Sequence, residues 1–121
     1  MALDRDIHLL SRVGLFQGFT PEQLRLLAFG AEREPAPKGT MLFREGDTAD
    51  GGYVVAVGQI DLVIAKGRRQ VLIDSCMEAG LVGETALIAA NRRATDAVAH
   101  VDSEVLFVPR ALFHRMLREY P

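Results

Sequence analysis

From residue 31 to residue 108 the chain is cut into short β-prone runs: "TMLF", "GYVVAV", "IDLVIA", "QVLIDSC", "TDAVAHV" and "EVLFV". Turn signals stand between them: "PKG" at 37, "EGD" at 45, "DGG" at 50, Gly58, "KGRR" at 66 and "VDS" at 101. Many short strands at this spacing predict an antiparallel sandwich or barrel rather than βαβ units. Helices are expected on either side. Leu3, Ile7, Leu10 and Val13 fall at helical spacing. "TPEQ" at 20 to 23 offers Thr20 as an N-cap, Pro21 at the first helical position and Gln23 to close a capping box. Leu24, Leu27 and Ala28 give that second helix its buried stripe, and Gly30 ends it. After the strands, Pro109 fits a first helical position, with Leu112, Met116 and Tyr120 as an apolar stripe. The expected layout is one domain over 1–121, with helices at about 3–30, a β unit at about 31–108 and a C-terminal helix at about 109–120.

Composition narrows what such a domain can do. Lys plus Arg total 14 and Asp plus Glu 16, a net charge of -2. No basic excess is present for a general nucleic-acid surface, although one local anion site remains open. The single cysteine, Cys76, rules out an internal disulfide and any multi-cysteine metal or iron–sulfur cluster; it reads as a small core residue. His8, His100 and His114 lack ligand spacing, so no metal site or cofactor is expected, and the metal-dependent enzyme reading of a β-barrel has no support. The opening "MALDRDIHLL" has charges at Asp4, Arg5 and Asp6 and no apolar run behind them, so no signal peptide is read. No stretch reaches the roughly 18 apolar residues of a membrane span. The expectation is a cytoplasmic protein or module that is not an enzyme.

One segment breaks the strand pattern. In "GLVGETALIAANRRAT", residues 80 to 95, a helix-prone run is bracketed by Gly83 and Glu84 on one side and Arg92 and Arg93 on the other. So short a helix is unstable alone, because nucleation is costly. Gly83, without a Cβ, lets a ligand approach the backbone. The first N–H groups of a helix lack internal partners and carry partial positive charge, which suits phosphate. A strand folding back would bring an arginine to the same anion, and arginine matches phosphate bidentately. Arg93 lies nine residues after Glu84, just past the helix on the first residues of the next strand; a one-residue slip would exchange it for Arg92. Glu84 would repel that anion unless it points to a neutral donor on the same ligand. A carboxylate is an acceptor only, so the ligand should carry a hydroxyl near its phosphate, as a ribose phosphate does.

These residues resemble the phosphate-binding cassette of the cyclic nucleotide-binding domain family, the catabolite activator protein-like sensor domains. The matching positions are Gly83, Glu84, Ala86 and Leu87, then Arg93 and Ala94. "LFREGD" at 42 resembles the family's strand and glycine turn, and "GYVVAVGQIDLVI" at 52 its central hairpin, with Gly58 at the tight turn. "VGLFQGFTPEQLRLLA" at 13 resembles its N-terminal helices, and "VLFVPRALFHRML" at 105 the last strand and following helix. The resemblance implies an antiparallel β-roll, jelly-roll-like, with an internal cassette helix. It implies a 3′,5′-cyclic nucleotide as ligand. Glu84 would take the ribose 2′-hydroxyl and Arg93 the cyclic phosphate. Backbone N–H groups around Gly83, Glu84, Thr85 and Ala86, and of Ala94, with Thr95 beside it, would complete the cradle. A hydroxyl residue directly after the arginine accompanies cGMP preference in the family; Ala94 there favours cAMP, with cGMP the alternative.

Departures from the family pattern raise further expectations. Only Leu81 and Val82 separate Gly80 from Gly83, one residue fewer than usual, so the loop should be tightened. Asp96 would weaken binding if it faced the phosphate. The sequence ends at "HRMLREYP", without the family's lid helix, so weaker binding than in a lidded relative is expected. The effector would be a domain or partner protein outside this chain, and a homodimer is compatible. No nucleic acid or membrane contact is expected. The competing reading is a degenerate member that keeps the fold as an interaction or dimerisation module without ligand. The sensor reading requires Glu84 and Arg93 to face a common hollow.

Overall fold

The computed structural model describes residues 2–121. Two helices open the chain, α1 (Ala2–Ser11) and α2 (Pro21–Gly30), with a 3₁₀ turn at Gly14–Phe16 between them. The capping box forms as read: the Gln23 N–H donates to Thr20 Oγ1 at 3.2 Å and the Thr20 N–H to Gln23 Oε1 at 2.8 Å. Ten strands follow: β1 (Glu32–Ala36), β2 (Met41–Phe43), β3 (Thr48–Ala49), β4 (Gly51–Val57), β5 (Ile60–Lys66), β6 (Arg69–Cys76), β7 (Leu81–Val82), β8 (Asn91–Arg92), β9 (Asp96–Ala99) and β10 (Ser103–Pro109). A four-residue helix, α3 (Thr85–Ile88), interrupts them, and α4 (Arg110–Glu119) closes the chain.

The strands form two antiparallel four-stranded sheets, in orders β1-β10-β4-β7 and β2-β9-β5-β6, and a ribbon of β3 with β8. This is the expected roll, left open rather than hydrogen-bonded into a closed barrel. One detail is corrected. The segment 52–64 is not a hairpin: β4 pairs with β10 and β7, β5 with β6 and β9. Gly58, at φ +95°, turns the chain from one sheet to the other, and a Cβ there would strike Ser103. Consecutive strands separated by a glycine turn look like a hairpin in sequence; the later strands β9 and β10 decide otherwise.

β4 is buried on both faces. Val54 belongs to the core under the helices, with Leu10, Phe16, Leu27, Leu106, Phe113 and Met116. Val55 belongs to the inter-sheet core, with Phe43, Ile60, Val82 and Ala97. At the C-terminus Pro109 is the N-cap residue rather than the first helical one, and Tyr120 lies past the last turn, so Phe113 and Met116 form the buried stripe of α4.

Candidate functional site

The cassette helix α3 is held from outside, as its length requires. Leu87 and Ala86 are fully buried, and Leu87 joins the core under the helices. Burying one leucine is worth roughly 1.5–3 kcal/mol. The carbonyls at its end find donors on α4: Arg110 Nη1 donates to Ala86 O at 3.2 Å and to Ala49 O at 2.8 Å, and His114 Nε2 meets Ile88 O at 3.1 Å. Ahead of α3 the chain turns at 77–80, and Leu81 and Val82, the two residues between Gly80 and Gly83, form β7. Gly80 N–H donates to Met77 O at 2.8 Å, Ala79 takes a left-handed φ of 67°, and β7 then pairs with Tyr53 and Val54.

Arg93 stands in the loop directly after β8, not on the next strand. Its backbone is clamped to the turn before β3: its N–H donates to Asp47 O and its carbonyl accepts from the Gly46 N–H, both at 2.8 Å. The residue is 7% exposed. The guanidinium lies 4.2 Å from the centre of the Phe43 ring and 5.7 Å from that of Tyr53, distances that suit cation–π attraction. Nη2 donates to Gly51 O at 2.8 Å. Nε and Nη1 are buried and have no hydrogen-bond partner. A buried charged donor without an acceptor is costly, of order 1–3 kcal/mol or more. Burial accordingly pushes the Arg93 pKa below the usual arginine value, opposed by Tyr53, Asp50 and Asp47.

Gly83 faces this guanidinium. Its φ is +75°, and a Cβ added there would collide with Arg93 Nη1. The glycine is thus required twice, by conformation and by space. Glu84, next in the chain, begins α3 in helical conformation and is exposed, and its side chain makes no capping bond. Thr85 Oγ1 accepts from Asn91 Nδ2 at 2.9 Å, which ties the start of α3 to β8. Ala86 N–H already donates to Gly83 O at 3.1 Å, so in this arrangement it is engaged by the turn. Ala94 is exposed and Thr95 half-buried.

The ambiguities left by the sequence separate here. Arg92 is exposed and donates from Nη1 to Gly46 O at 3.0 Å, so Arg93, not Arg92, is the inward arginine. Asp96 turns to the β2–β3 connection, where its carboxylate accepts the Glu45 N–H at 2.7 Å. A surface hollow of about 760 Å³ opens beside α1 between Arg12, Arg33 and Glu104, away from Arg93 and Glu84. The common hollow expected between Glu84 and Arg93 is corrected: the guanidinium itself lies between Gly83 and the Phe43 ring, and Glu84 is exposed. Phe43, Tyr53, Gly51 and Arg110 complete the site without having been singled out in the sequence.

Among the described residues no group of three His, Cys, Asp or Glu is placed to hold a metal ion, and no helix is long and apolar enough to cross a membrane.

Residues 33–120 match the family model "Cyclic nucleotide-binding domain". A solved structure from Brucella abortus, a cyclic nucleotide-binding-like protein, is 48% identical with a TM-score of 0.84, over 93% of this chain and 97% of that one. The cyclic AMP receptor protein of Thermus thermophilus is 30% identical over 108 residues, 88% of this chain and 50% of that protein. The cAMP-dependent protein kinase regulatory subunit of Colletotrichum orbiculare is 29% identical over 89% of this chain and 27% of that protein. The chain therefore spans half or less of the length of these curated relatives.

Proposed function

The chain belongs to the cyclic nucleotide-binding domain family, and from that premise we propose that it is a regulatory sensor of a 3′,5′-cyclic nucleotide, cAMP in preference to cGMP. The observation that carries the reading is Arg93: a buried guanidinium with Nε and Nη1 unpartnered, whose Nη1 faces a glycine with no side chain to displace it. Each fork of the guanidinium pairs Nη2 with Nε or with Nη1, so a cyclic phosphate would supply a charge-assisted acceptor to an unpartnered nitrogen in a bidentate contact shared with Nη2. Glu84, exposed one residue after Gly83, would accept the ribose 2′-hydroxyl. Gly83, Thr85, Ala86, Ala94 and Thr95 would line the phosphate and sugar, with the Ala86 N–H leaving its turn bond to take part. Ala94 offers no hydroxyl to a guanine, which supports cAMP. The sensor would act on an effector outside residues 1–121, in the cytoplasm, and would not itself be a catalyst.

Because the guanidinium fills its own cradle, binding requires the Gly83–Thr85 backbone to move away from Arg93. The contacts of Arg110 and His114 with the carbonyls of Ala86 and Ile88 give α4 a direct link to that movement. The test is calorimetric titration with cAMP and with cGMP. Binding with cAMP the tighter, and its weakening in Arg93→Ala, is the expected result. No heat and no thermal shift at millimolar nucleotide would reject the sensor and favour a ligand-free interaction module.

A further inference from the structure

We infer that the free edge of β6 pairs antiparallel with the same edge of a second copy of this chain. Four strands end the two larger sheets: β1, β7, β2 and β6. An edge strand presents unpaired N–H and C=O groups, and proteins usually blunt it by shortness, proline or charge. β7 has two residues and β2 three. β1 contains Pro35 and three charged residues, of which Arg33 is tied to Asp6 and Glu104. β6 has eight residues and no proline. Leu72 and Ile73 on it are 59% and 52% exposed. A bulge places both at one position of the ladder: Leu62 faces Asp74 and Val63 faces Leu72, so Ile73 is the extra residue.

Charge selects a second copy as the occupant and fixes the register. Arg69 pairs with Lys66 and Asp74 with Leu62; those partners are an even number of residues apart, so Arg69 and Asp74 share a face. Counting the bulge as one position, an antiparallel pairing about Val71 sets Val71 against the second copy's Val71. Arg69 then stands opposite the second copy's Asp74, and Asp74 opposite the second copy's Arg69. Opposite charges directly across a ladder are favourable and like charges are not. Leu72 and Ile73 of the two copies lie diagonally across the same ladder, where their exposed surface is covered.

The test is sedimentation equilibrium of the full chain from micromolar to millimolar concentration. A concentration-dependent monomer–dimer equilibrium is expected. Arg69→Asp and Asp74→Arg, each of which turns both charge pairs repulsive, should weaken it about tenfold. The double variant, with both pairs restored in reversed sense, should return to near the original affinity. Leu72→Lys, an exposed position, should also weaken the dimer while leaving the monomer's melting temperature unchanged. A monomer at millimolar concentration would overturn the proposal, as would a dimer indifferent to Asp74→Arg or one that the double variant fails to restore. None of these readouts uses nucleotide, so this proposal and the sensor reading fail separately.

Discussion

Two charged side chains are buried among the described residues, Asp61 and Arg93, and their surroundings differ in kind. Asp61 Oδ1 accepts from Gln59 Nε2 and from Ser75 Oγ, both at 2.9 Å, and Oδ2 meets His100 Nδ1 at 3.0 Å. Burial raises its pKa, but Gln59, Ser75 and His100 together hold it below the ordinary carboxylate value. Arg93 has one acceptor, two aromatic faces and two empty-handed nitrogens. The carboxylate's environment is complete within the chain; the guanidinium's is not. A buried polar group that the fold satisfies belongs to stability, and one that it leaves short marks a place where something from outside can complete it. The first test of this contrast is also the largest effect. Arg93→Ala should weaken cyclic nucleotide binding by roughly tenfold to a hundredfold, the worth of a charge-assisted bond of about 1.5–3 kcal/mol. Arg93→Met, which keeps bulk and removes the uncompensated charge, should lose binding equally while its melting temperature without ligand holds or rises. A fall in that melting temperature would mean that Arg93 is structural after all.

Asp61 should behave in the opposite way. Asp61→Ala leaves Gln59 and Ser75 without their acceptor and should cost about 1–3 kcal/mol of stability, read by urea denaturation, with nucleotide affinity unaltered. The pH dependence has a definite sign. Because the folded carboxylate titrates below the unfolded one, its contribution is fully present above the unfolded value near 3.8 and is lost as pH falls through the lowered folded value. In Asp61→Asn that acid-side loss should be smaller, and the difference between the two denaturation curves should close as pH falls.

The two buried charges also differ in how much of them could be read in advance. Gly83, Glu84 and Arg93 lie within eleven residues of one another, so their pattern is local and the sequence carries it. The rest of the Arg93 site comes from distant elements. Gly51 O is 42 residues from its donor, and Phe43 and Tyr53 arrive on strands of different sheets. Arg110 reaches Ala49 across 61 positions. An aromatic on a β-prone run signals packing, and nothing in "LFREGD" distinguishes a core phenylalanine from one that carries a guanidinium. The Asp61 site was illegible for the same reason: His100 and Ser75 meet Asp61 only because β9 and β6 both flank β5. The helices were clearest, since the "TPEQ" box is complete within four residues.

Gly83 sharpens the comparison from the other side of the guanidinium. Gly83→Ala forces a Cβ into Arg93 Nη1 at a left-handed φ of +75°. The conformational cost is about 1–2 kcal/mol, and the displaced guanidinium should carry a loss of nucleotide affinity with it. If stability falls while affinity is untouched, then Gly83 serves the turn and not the anion site.

The smallest effect comes from the other end of β7. Ala79 holds φ 67° without being a glycine, four residues before Gly83 and at the start of the shortened connection. Its Cβ is strained there, at a cost of about 1–2 kcal/mol. The chain pays that strain to bring β7 alongside Tyr53 and Val54, which aims Gly83 at Arg93. Ala79→Gly removes the strain but loosens the unfolded chain, which returns roughly 0.4–1 kcal/mol. The net expectation is a gain of a few tenths to about 1 kcal/mol, measured by thermal or urea unfolding. Nucleotide affinity should stay as it was, because the Ala79 N–H still donates to Val55 O and Gly80 to Met77 O. A loss of affinity would show instead that the strained residue, and not only the glycine it precedes, sets the distance between the cassette and its arginine.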